Sequence, residues 1–121
     1  MSVQPPLTVY RQTAQARQQA RRAAVEARRQ RALQLAQQSA ALLRSEFGAG
    51  QVAAFGSLVQ PALFHPHSDI DLAVWGLEER LYFRAVGVLQ GLDAAFSIDL
   101  IAFEDAAPSL QETIQREGVL L

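Results

Sequence analysis

The sequence predicts a small α/β (α+β) domain, a mixed sheet with flanking helices, preceded by one long helix. Three observations predict it. Residues 10–47 contain neither Gly nor Pro and are rich in Ala, Gln, Arg and Leu, all strong helix formers. Residues 52–55, 69–75 and 96–103 are short apolar runs with the length and alternation of strands. Residues 78–93 and 109–117 carry apolar side chains at helical spacing. Helix, strand, turn, strand, helix, strand, helix is the order of a two-layer domain.

Residues 1–9 are polar, carry Pro5 and Pro6, and read as a flexible N-terminal segment. They lack the basic start and apolar core of a secretory leader. The helix of residues 10–47 is amphipathic only in its second half. There Ala32, Ala36, Leu43 and Phe47 form one stripe, flanked by Leu35, Ala40 and Leu42. That half is expected to pack on the core, while residues 12–31 project beyond it. Gly48 and Gly50 end the helix. Residues 48–121 form the domain proper.

After the first strand, residues 58–63 read as a short helical turn disturbed by Pro61, and residues 64–68 as loop. Leu81, Ala85, Val88, Leu89 and Leu92 give the next helix its buried stripe, with Gly87 and Gly91 permitting close packing on the sheet. Ser109 and Glu112 fit a capping box that opens the last helix after Pro108. Gly118 closes that helix, and residues 119–121 remain for an edge strand or for packing on the core.

Half of the 121 residues are hydrophobic, enough for one domain with a buried core. No run approaches the roughly 18–20 apolar residues of a membrane span. Cysteine is absent. Its absence excludes disulfides, thiol nucleophiles and cysteine zinc sites, and suits a reducing cytoplasm. Lysine is also absent, which excludes a Walker-type phosphate loop. Any phosphate must be held by backbone amides, a metal or arginine.

The net charge of −1 conceals an asymmetry. Arg11, Arg17, Arg21, Arg22, Arg28, Arg29 and Arg31 share their stretch with a single acid, Glu26. The remainder of the chain is acidic. Such a helix half fits a solvated face, a surface for an acidic protein or RNA, or a cleaved targeting peptide.

The chemistry concentrates in residues 55–72. Gly56 lets the chain turn tightly after the first strand. Ser57 supplies a hydroxyl and can cap a helix starting at Leu58, whose free amides favour an anion. After eleven intervening residues, Asp69 and Asp71 flank Ile70. In a strand, residues two apart share a face, so these carboxylates lie side by side. Close carboxylates either retain a proton or share a cation, and magnesium suits such a pair beside phosphates. A turn with solvated acids on an edge strand is the plain alternative. Asp99 stands in an otherwise apolar strand, either at an exposed end or joined to Asp69 and Asp71. His65 and His67 flank Pro66 in the loop and fit exposed histidines or metal ligands.

Gly56-Ser57, Asp69-Ile70-Asp71 and Asp99 within Ser97-Ile-Asp-Leu-Ile101 together resemble the signature of the DNA polymerase beta-type nucleotidyltransferase superfamily. The small size and the ending from Leu110 to Leu121 resemble its minimal nucleotidyltransferases, the MntA-like antitoxins. The resemblance covers residues 41–121. It implies a nucleotidyltransferase core in which Gly56, Ser57 and Ser68 bind the nucleotide. Asp69, Asp71 and Asp99 would be catalytic and would hold two Mg2+ ions, with ATP as substrate. Asp99 would also help activate the attacking hydroxyl. The implied acceptor is a tyrosine of a HEPN-type toxin, contacted partly through the Arg-rich helix, in the cytoplasm. One departure is the arginine that members carry soon after Gly-Ser: Val59-Gln60-Pro61 stand there. A partner that is neutralised by binding alone, or a small-molecule acceptor, are the alternatives. Direct nucleic-acid binding is less favoured, and homo- or hetero-oligomers are compatible with the chain.

Overall fold

A computed structural model describes residues 6–121. Helix α1 (Leu7–Phe47) is one continuous helix of 41 residues, about 60 Å long. It begins three residues before the expected Tyr10. The rest of the expected N-terminal segment, residues 1–5, lies outside the described residues. Gly48 ends α1 in the left-handed conformation (φ 69°), and Ala49 N–H returns to the Leu43 carbonyl at 3.0 Å.

Strands β1 (Gln51–Phe55), β2 (Ile70–Trp75), β3 (Ile98–Ala102) and β4 (Val119–Leu120) form one mixed sheet in the order β3-β2-β1-β4. Strand β1 is antiparallel to β2 and β4, whereas β2 and β3 run parallel. The parallel pair is joined through α2 (Tyr82–Gln90), as a crossover requires. Helix α3 (Pro108–Glu117) leads into the edge strand β4.

Alternation along the strands divides the side chains between two faces. Val52, Ala54, Ile70, Leu72, Val74, Ile98 and Leu100 point toward α1 and α2, where the main core lies. The second half of α1 supplies Ala32, Leu35, Ala36, Ala40, Leu43 and Phe47 to that core, close to the stripe read from sequence. Ser39 is also fully buried there, its hydroxyl donating to the Leu35 carbonyl at 2.8 Å. On the opposite face a smaller cluster of Phe55, Ala73 and Ile114 packs with Trp75, Ile101, Phe103 and Leu110. Helix α3 therefore begins a third layer, where the sequence suggested two.

Several local expectations are corrected. Helix α2 is shorter than residues 78–93: a 3-10 turn (Glu79–Leu81) precedes it, and it ends at Gln90. The Gln90 side chain turns to the Ile98 backbone, accepting from its N–H at 3.3 Å. A Cβ at Gly87 would meet nothing within 4 Å, so that glycine does not serve close packing. Ser109 does not cap α3. Ala107 is the N-cap and Pro108 takes the first turn, where its fixed φ suits a helix start.

Candidate active site

Register builds the site. Asp71 of β2 lies directly opposite Asp99 of β3 in the parallel pair. Paired residues of adjacent strands point the same way, so the two carboxylates leave one face about 5 Å apart at the backbone. That is the α3 face, on which Asp71 is half-buried and Asp99 exposed. Asp69 precedes β2 and is exposed. Burial pushes the Asp71 carboxyl up to about 6, and the charges of Asp99 and then Asp69 push the same way. A neighbour two residues back and an acid from another strand thus both act on Asp71.

The turn after β1 completes the arrangement. On its other side Asp71 pairs with Phe55, so the next residue, Gly56, lies against the Asp71 side chain. Gly56 has φ 71°, and a Cβ there would sit 2.5 Å from Asp71 Oδ2. Only glycine gives both the left-handed backbone and the space. Gly56 opens a 3-10 turn (Gly56–Val59), with Phe55 as its N-cap and no side-chain cap. Ser57 is consequently inside the turn and not the cap of a helix at Leu58. The expected single turn of residues 58–63 breaks at Gln60, and Pro61 starts a second (Pro61–Leu63). Gln60 Nε2 donates to Glu117 Oε2 at 2.9 Å, tying the turn to the end of α3.

Ser68 is buried, and its Oγ accepts from His65 N–H at 2.9 Å while its own N–H donates to the His65 carbonyl at 3.0 Å. It closes the turn immediately before Asp69. His65 Nδ1 accepts from His67 N–H at 3.2 Å, and both histidines are exposed. Among the described residues no group of three His, Asp or Glu side chains is placed to hold a metal ion. Like charges repel, and the backbone rather than mutual attraction holds Asp69, Asp71 and Asp99 together. By chemistry alone, carboxylate oxygens suit a hard divalent cation, and Asp71, half-buried, lies beside a turn kept open by the missing Cβ of Gly56.

Sequence reasoning missed two arginines here. Arg29 Nε donates to the Leu58 carbonyl within the Gly56–Val59 turn at 2.9 Å, and its Nη1 pairs with Glu26 at 3.1 Å. Arg28 Nη2 donates to the Ala95 carbonyl at 2.5 Å, and its guanidinium lies 4.1 Å from the centre of the Phe96 ring. These two clamp α1 to the turn after β1 and to the loop before β3. Nothing in the sequence distinguishes them from the other arginines of residues 11–31. The basic surface expected of seven arginines is correspondingly smaller, since Arg31 also lies over Phe96 at 5.6 Å. Arg11, Arg17, Arg21 and Arg22 remain exposed.

The sequence model of the family described as Polymerase beta, Nucleotidyltransferase matches residues 37–121, which include all six expected site residues. Among solved structures, the fold is similar to a chain of a toxin-antitoxin crystallised with AMP-PNP (TM-score 0.56, 25% identity, 66% of each chain covered). It is likewise similar to a chain of an MntA-HpeT toxin-antitoxin variant (TM-score 0.56, 26% identity, 67% of this chain and 66% of that one). A chain solved as a candidate minimal nucleotidyltransferase gives a TM-score of 0.50 at 27% identity, over 83% of this chain and 95% of that one. The chain spans 66% of the toxin-antitoxin chains, just under two thirds of their length. No curated protein matches it.

Proposed function

The chain belongs to the polymerase beta-type nucleotidyltransferase family, and from that premise we propose that it transfers AMP from ATP to a hydroxyl of a partner protein. The partner is a HEPN-type toxin and the acceptor a tyrosine, in the cytoplasm, which makes the chain an antitoxin. The observation that carries the reading is the opposition of Asp71 and Asp99 across the parallel register, with Gly56 against Asp71. The toxin-antitoxin chains among the similar structures support a toxin as the partner.

The Gly56–Val59 turn receives the phosphate tail, through backbone amides and the Ser57 hydroxyl. Ser68 contributes by fixing the turn that presents Asp69. Asp69, Asp71 and Asp99 would hold Mg2+, which would supply charge neutralisation at the phosphates and at the attacking oxygen. Asp99, on the open side of the pair, takes the hydroxyl proton. The hydroxyl oxygen bonds to the α-phosphorus, the bond to the β-phosphate bridge breaks, and pyrophosphate leaves. Holding both reactants in line contributes much of the rate. The partner reaches the acids from the end of the sheet past which the first half of α1 projects, so Arg11, Arg17, Arg21 and Arg22 meet it.

Incubation of the chain with α-labelled ATP, Mg2+ and a HEPN-type partner tests this: label is expected on the partner, and Asp71→Asn or Asp69→Asn should abolish it while the fold persists. One observation favours a second reading, neutralisation by binding alone. No arginine stands in residues 58–61, directly after Gly-Ser, and the turn breaks before Pro61. A tight complex without label establishes that reading. Label on a small hydroxylated compound instead would remove the protein acceptor.

A further inference from the structure

At the end of the sheet away from the acids lies a groove of about 620 Å³. It sits beyond the C-terminal ends of β2 and β3, whereas Asp71 and Asp99 lie near their N-terminal ends. Tyr82, Phe83, Ile101 and Leu110 form apolar walls, and Glu79, Glu104 and Asp105 the rim. Phe83 is 84% exposed. Glu104 Oε1 accepts from Gly76 N–H at 2.8 Å, which fixes that part of the rim. Among the described residues, neither Glu79 nor Asp105 has an ion-pair partner.

The same chain carries the complementary surface. Every residue from 7 to 24 of α1 is exposed. Leu7, Tyr10, Ala14 and Arg17 recur at spacings of three, four and three, with Arg11 beside them. They form one stripe, apolar at the tip and basic behind it. Leu7 and Tyr10 are 74% and 52% exposed. No acid occurs before Glu26.

The arm cannot reach its own groove. α1 is continuous, and Arg28 and Arg29 clamp it at the acid-bearing end. Its first turns therefore leave the molecule at the end opposite the groove. We propose that residues 7–17 of one copy occupy the groove of a second copy, giving a dimer in which the two arms are exchanged. Because arm and groove lie at opposite ends, a two-fold axis that sets the sheets antiparallel places both arms in both grooves at once and closes the assembly. Apolar contact with Phe83 and Tyr82 anchors the tip, and Arg11 and Arg17 face Glu79 and Asp105. The proposal stands independently of the nucleotidyl-transfer reading.

Charge exchange in the full chain tests it. Sedimentation over a concentration series should give a dimer of the wild type that weakens with added salt. The arm variant Arg11→Glu with Arg17→Glu should be monomeric, as should the groove variant Glu79→Arg with Asp105→Arg. An equal mixture of the two variants should form a dimer again, since each arm then meets a groove of opposite sign. Circular dichroism of each variant confirms that it is folded. A wild type that stays monomeric, variants that associate as the wild type does, or a mixture that stays monomeric would each overturn the proposal. An arm variant that loses only binding to RNA or to a partner toxin, with the wild type monomeric, assigns the arm to that occupant instead.

Discussion

Gly56 and Asp71 share one small volume, and each sets a condition on the other. Alanine at position 56 places a Cβ 2.5 Å from Asp71 Oδ2 on a backbone at φ 71°. The left-handed backbone alone costs about 1–2 kcal/mol for a residue with a side chain. Gly56→Ala should therefore lower the denaturant midpoint and displace the Asp71 carboxylate, with loss of labelled product greater than the loss of stability explains. Asp71 also carries a pH signature. Its carboxyl rises from 3.8 to about 6 on folding, through burial first and the charges of Asp99 and Asp69 second. The folded state thus binds the proton more tightly than the unfolded chain. Stability in the presence of a chelator should be greatest below the unfolded value, fall as pH rises through about 6, and level off above it. Half-exposure screens the effect to about 1 kcal/mol. Asp71→Asn should flatten this profile in urea titrations and be more stable than the wild type at neutral pH. Both residues were legible in the sequence, because a Gly after an apolar run and an Asp alternating with Ile and Leu are local patterns. The contact between them was not, since it depends on the β1–β2 register.

At the scale of elements, the strands and the amphipathic half of α1 followed from periodicity, and the errors gathered at helix ends. Pro108 won over the Ser109 capping box because a fixed φ at the first turn needs no side-chain acceptor. The Gln90 side chain exchanges hydrogen bonds with the Ile98 backbone, accepting from its N–H and donating to its carbonyl, and α2 ends at Gln90. The division of labour among the arginines was beyond the sequence altogether, because it is decided by which face of α1 meets the sheet. It has a measurable consequence. The Arg29 side chain is 14% exposed and bonded to both Leu58 and Glu26. Arg29→Gln removes charge-assisted hydrogen bonds of a kind that contributes about 1.5–3 kcal/mol. The denaturant midpoint should drop, and nucleotide binding should weaken as the Gly56–Val59 turn loosens. Arg17→Gln, at an exposed position, should leave stability within about 0.5 kcal/mol of the wild type. Equal stability losses at the two positions would show that Arg29 does not brace the turn.

Over the whole molecule, charge is separated by distance along α1 and across the sheet. From residue 24 back to residue 7 the helix is basic and exposed; behind the clamp lie Asp69, Asp71 and Asp99, and at the far end the acidic groove. Residues 7–24 are exposed and carry four arginines and no acid, so a partner that offers negative charge suits them. The proposed partner and the groove of a second copy fit that description in the same way, and they compete for one arm. Replacing Arg11, Arg17, Arg21 and Arg22 with Gln should then have three linked effects. Thermal stability should be unchanged, because these side chains make no ion pair or hydrogen bond among the described residues. Self-association should be lost. Affinity for a HEPN-type partner should fall at low salt and converge on that of the wild type as salt rises, since screening removes in the wild type what the substitutions remove outright. The acids lie outside the arm, so transfer at saturating partner should survive, with the loss appearing in KM rather than kcat. An affinity unchanged at low salt would return the arm to a solvated helix and leave the partner to be recognised at the sheet end alone.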